Sequence, residues 1–133
     1  MENTTTCLSD KPAKYSKSIK LPTYNCELMV IITSKLKDDA TKIYKKYKIK
    51  DDDEDGESEG IVISPDIDKY FLMIDLKYLS HNTLAHEIYH ATVRITEDRG
   101  IVEEESQAWL CGHLTGVIYK FLDKKTLTIK HGG

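Results

Sequence analysis

The run Leu28-Met29-Val30-Ile31-Ile32 is the apolar feature that most limits how this chain can fold. It is long enough for a strand covered on both faces and far too short for a helix that crosses a bilayer. Bounded by Pro22 and Ser34, it predicts a first strand over about residues 25–33. The 133 residues, 40% hydrophobic and 31% charged, suit one soluble domain with a modest core, expected over 21–123. Residues 1–20 are polar and Lys-rich and carry Pro12, so a flexible tail is expected there, and a second one over 124–133.

The pattern after the first strand alternates between periods. Ser34 is placed to cap a helix over about 35–48, where Leu36, Ala40, Ile43 and Tyr47 recur at helical spacing. Residues 51–60 form a mobile acidic loop in this reading. Its opening, Asp51-x-Asp53-x-Asp55-Gly56, imitates a calcium loop, but Val62 falls where the bidentate Glu is required, so no calcium site is expected. Gly60 to Ser64 and Tyr70 to Leu76 read as antiparallel strands joined at Pro65-Asp66-Ile67-Asp68. Helices over about 82–96 and 102–123 follow, separated by Gly100, and the second is expected to pack on two sides. The fold class is therefore α+β, with a sheet of about three strands, a covering helix and two C-terminal helices.

Cys7, Cys26 and Cys111 are an odd set without a CxxC pair, which argues for reduced thiols. The first residues have neither a basic start nor an apolar h-region, so a cytoplasmic location is expected, with no membrane partner. A net charge of -3 gives no general attraction for nucleic acid, and the lysines between Lys35 and Lys50 read as a solvated helix face.

Chemistry concentrates in His86-Glu87-Ile88-Tyr89-His90. On a helix this HExxH spacing brings both imidazoles to one Zn²⁺, with Glu87 beside them to activate a metal-bound water. A catalytic zinc needs a third protein ligand. Thr96 stands where a metzincin would carry its third histidine, which leaves Glu103, Glu104, Glu105 and His113 on the next helix. Glu105 shares a face with Ala108, Gly112 and Gly116, small residues that allow close approach of the HExxH helix, and is the expected ligand. His113 lies about 12 Å further along the axis.

HExxH followed by Glu105-Ser106-Gln107-Ala108 resembles the gluzincin pattern of HExxH plus E-x-x-A, above all small ImmA/IrrE-type and phage-encoded metallopeptidase domains. The resemblance covers about residues 25–122. It implies a zincin-like fold and one zinc per chain on His86, His90 and Glu105, with Glu87 as general base in hydrolysis of a protein or peptide substrate. Trp109 departs from the Asp or Asn that many gluzincins place there, and the spacer between His90 and Glu105 is short. Tyr89, His81, His113 and Tyr119 are the candidate transition-state stabilisers. Substrate is expected to add as a strand beside Tyr70 to Leu76. The alternative is a non-catalytic module of the same fold that binds a regulatory protein and uses zinc structurally.

Overall fold

The computed structural model describes residues 13–50 and 58–132. In chain order its elements are β1 (Lys14–Leu21), β2 (Cys26–Thr33), α1 (Leu36–Tyr47), β3 (Gly60–Asp66), β4 (Lys69–Asp75), α2 (His81–Glu97) and α3 (Glu104–Lys124), with 3-10 turns at Pro22–Tyr24 and Leu76–Tyr78. The four strands form one mixed sheet in the order β1-β2-β4-β3. β1 and β3 are antiparallel to their neighbours, while β2 and β4 run parallel through the centre. The fold is α+β, with three helices around the sheet.

The alternation of side chains assigns each face its helices. Leu28, Val30 and Ile32 of β2 and Tyr70, Leu72 and Ile74 of β4 are fully buried on the face that α2 and α3 cover. Ile31, Phe71 and Met73 turn the other way, beneath Leu36 and Ala40 of α1. Each such Leu, Ile or Val contributes about 1.5–3 kcal/mol of apolar burial, so the two central strands dominate the core.

β1 occupies a segment the sequence assigned to a tail. Its period-2 pattern places Ile19 and Leu21 in the core, whereas Lys14, Lys17 and Lys20 face water. Lysines on an edge strand discourage pairing with other chains, so the polar composition marks an edge rather than disorder. The sheet thus has four strands instead of about three.

The C-terminal segment is also tied down. Lys130 N donates to Leu79 O, His81 N donates to Lys130 O, and Leu127 and Ile129 pack against the core.

The start of the first helix departs from expectation in a smaller way. Ser34 makes no cap; its hydroxyl accepts from Ala13 N, and Lys35 stands at the N-cap without a side-chain bond. Ser80 does cap α2, accepting from Thr83 N, and Gly100, at φ 70°, turns the chain after it. Among the described residues no helix is long and apolar enough to cross a membrane. The acidic calcium-like segment, residues 51–57, and Cys7 lie outside the described residues.

Candidate metal and catalytic site

α2 buries Leu84, Ile88, Ala91 and Ile95 on the sheet, and its HExxH residues divide around that buried stripe. At about 100° per residue, His86 and His90 share one flank, with Glu87 between them and the sheet. The two rings meet at 3.0 Å between their Nε2 atoms, with ring centroids 4.5 Å apart. That contact requires one ring to donate its Nε2–H while the other accepts. Two corners of a zinc tetrahedron at Zn–N of about 2.0–2.1 Å require nitrogens about 3.3–3.4 Å apart, so a small ring rotation fits the pair to the ion. Burial, then the charges of His86 and Arg94, pushes His90 below the ordinary histidine range, which keeps its lone pair free at neutral pH.

Glu87 is 6% exposed, and burial raises its carboxyl above the usual carboxylate range, against the opposing pull of His86 and Arg94. Its position depends on Gly60, the first residue of β3. A Cβ on Gly60 would lie 2.8 Å from Glu87 Cγ and 3.1 Å from Oε2, so only glycine admits the carboxylate here. Glu87 keeps solvent contact through a cleft of about 260 Å³ between β3 and α2. Glu59, Gly60, Asn82 and His86 line it as well, and Glu59 accepts from the Thr83 hydroxyl at 3.0 Å.

The expected third ligand lies elsewhere. α3 runs antiparallel to α2, with Tyr119 beside His81 and Gln107 beside Thr96. His81 and Thr96 project from the flank of α2 turned away from His86 and His90. The same register places Glu105 beyond Thr96, about 8–12 Å along the axis from His90 at 1.5 Å per residue. Glu105 is exposed, and its side chain makes no hydrogen bond or ion pair among the described residues. Among those residues no third His, Cys, Asp or Glu joins the histidines in a ligand group. The physical reason is that α3 docks through Leu110, Leu114, Ile118, Phe121 and Leu122. Its small-residue face looks outward, with nothing within 4 Å of a Cβ added at Gly112 or Gly116. α3 therefore buries one face rather than two.

The candidate stabilisers are likewise dispersed. Tyr119 O–H and His81 Nδ1 lie 2.7 Å apart with stacked rings, on the α3 side of α2. His113 stacks on Trp109 at the surface, and Tyr89 is 62% exposed. Tyr70 to Leu76 cannot accept an added strand, since β4 is already paired on both sides. The edges are β1 and β3, and β3 is the one beside Glu87. Glu59 O accepts from Asp75 N, so the backbone groups of Gly60, Val62 and Ser64 turn outward.

Gly60 and Arg94 border the site from outside the HExxH motif. Asn82, His86, His90 and Arg94 recur every four residues, and this row spirals from the mouth of the cleft to the edge of β3. Arg94 donates from Nη1 to Val62 O at 2.8 Å and to Ser64 Oγ at 3.3 Å. The spacing was available in the sequence as a signal, whereas Gly60 required the fold. Comparison with protein-family models, curated proteins and solved structures finds no match for this chain.

Proposed function

We propose that the chain is a zinc-dependent peptide-bond hydrolase in which His86 and His90 hold the metal and Glu87 is the general base. The observation that carries this reading is the convergence of the two Nε2 atoms beside a buried, Gly60-shielded carboxylate that opens on one cleft. Zn²⁺, when bound, supplies the charge that acidifies a water and polarises a carbonyl. Glu87, with its raised proton affinity, is suited to take the proton of that water and return it to the leaving amine. An extended peptide laid along β3 at Gly60 would pass the mouth of the cleft, and Asn82 offers a neutral donor there.

The third ligand separates two versions of this reading. Glu105, which the gluzincin resemblance implies, must reach the pair by movement of α3, whereas Glu59 already lines the cleft with His86. Zinc titration of Glu105→Gln and Glu59→Gln decides between them, since the true ligand loses about tenfold or more in affinity. The distance of Glu105 from the histidines counts against a competent hydrolytic centre and so supports the second reading, a non-catalytic binding module, in which a structural zinc would need still more ligands beside the two histidines. Glu87→Gln tests it: loss of peptide cleavage with zinc retained supports the hydrolase, and a biological effect that survives the change supports the module.

A further inference from the structure

The outward backbone groups along the edge of β3 belong to Gly60, Val62 and Ser64, and they are not equivalent. Gly60 borders the cleft that His86 and Glu87 also line. At the next outward position the Val62 carbonyl accepts from Arg94 Nη1 at 2.8 Å, and the same nitrogen reaches Ser64 Oγ at 3.3 Å. Beyond that point the edge loses its regularity. The register with β4 shifts between Ile63 and Asp66, and Pro65 has no N–H to donate.

Charged side chains laid over an edge, prolines and bulges are the devices by which a strand is kept from recruiting another. On β3 all of them fall at Val62 and beyond, so they guard one end of the strand and leave Gly60 to the cleft. Arg94 is held by α2, one turn after His90 on the same flank, which fixes the guard relative to the histidines. Along the strand it stands about 7 Å from Gly60, the length of about two extended residues.

We propose that Arg94 is a register stop, which lets an extended peptide pair with β3 at Gly60, beside the cleft, and ends the pairing at Val62. The site then reads a short stretch of backbone on that side of the histidines and gains nothing from a longer one. Chain ends and tight loops satisfy this limit, and long extended strands do not. The inference rests on the peptide-binding reading above but does not require hydrolysis.

The test measures binding to the zinc-treated Glu87→Gln protein, with and without Arg94→Ala, of acetylated and amidated pools of random tetrapeptides. Each pool is compared with the same pool lengthened by two residues at its N-terminus or its C-terminus. With Arg94 in place, one of these extensions adds less than about twofold in affinity, and in Arg94→Ala the same extension adds about fivefold, the worth of one newly available strand hydrogen bond. The opposite extension behaves alike in both proteins. Arg94→Lys, which keeps a cation and a donor over Val62, retains the limit, and the ratio within each variant is insensitive to a general loss of folded protein. Binding with equal length dependence in the two proteins overturns the register stop and leaves the peptide-binding reading standing. Pools that bind neither protein overturn that reading and this inference together.

Discussion

Arg94 and Arg99 lie five residues apart near the end of α2, and their surroundings differ in kind. Arg99 donates from Nε to Tyr24 O at 2.6 Å, from Nη1 to Tyr70 O–H at 2.9 Å and Ile95 O at 3.1 Å, and from Nη2 to Ile67 O at 2.5 Å. Tyr70, itself fully buried, donates its O–H to Asp98 Oδ2 at 2.5 Å. Every prong of that guanidinium is consumed in joining α2 to the turn before β2 and to the start of β4. Arg94 instead holds one strand carbonyl and one hydroxyl, both through Nη1, and no other partner among the described residues. One end of the helix is closed for stability, and the flank bearing His86, His90 and Arg94 is left with unspent polar groups. Function is drawn from such incompletely satisfied groups because they retain capacity for a ligand.

The contrast breaks first at its closed end. Arg99→Ala strips the partners from several carbonyls and from a buried phenol, and chemical denaturation will show a loss of about 3 kcal/mol. A loss below about 1 kcal/mol would mean that the network is not a lock. Tyr70→Phe keeps the ring and removes only the hydroxyl, so about 1–2 kcal/mol is expected. It also carries a pH signature. Burial and the Asp98 hydrogen bond push Tyr70 up to about 12, above its unfolded value near 10. The native state therefore favours the protonated phenol, and its contribution is complete below pH 10 and lost as pH rises through about 12. Thermal melts across that window will fall more steeply for wild type than for Tyr70→Phe.

At the open flank the stability effects are smaller. Gly60→Ala drives a methyl into Glu87, costs about 1 kcal/mol and displaces the carboxylate, so cleavage activity falls further than stability does. Unchanged activity with unchanged stability would show that the approach of β3 to Glu87 is not needed. Arg94→Gln is the mildest in stability, under about 0.5 kcal/mol in denaturation, since among the described residues only Nη1 of its fork is bonded. A loss comparable to that of Arg99→Ala would erase the distinction between the two arginines.

Much of the frame was legible in the residues. The apolar runs of β2 and β4, the turn between β3 and β4, and the Ser80 cap and Gly100 break that bound α2 all follow from local patterns. β1 was hidden because lysines on an outer strand have the composition of a tail, and only the alternation around Ile19 and Leu21 distinguishes the two. The pairing of His86 with His90 follows from helix spacing alone. The place of Glu105 does not, because a face of Ala and Gly is equally compatible with close packing and with water. Which face α3 buries was settled by the larger side chains Leu110, Leu114 and Ile118. Gly60 and Arg94 act across β3 and α2, so no reading of either segment by itself could join them.

The most direct test of the central claim is the metal content of the purified protein after incubation with zinc and removal of excess. The account predicts about one zinc per chain, retained in Glu87→Gln and lost in both His86→Ala and His90→Ala. No bound zinc in the wild-type protein, or a full complement in the two histidine variants, would contradict it.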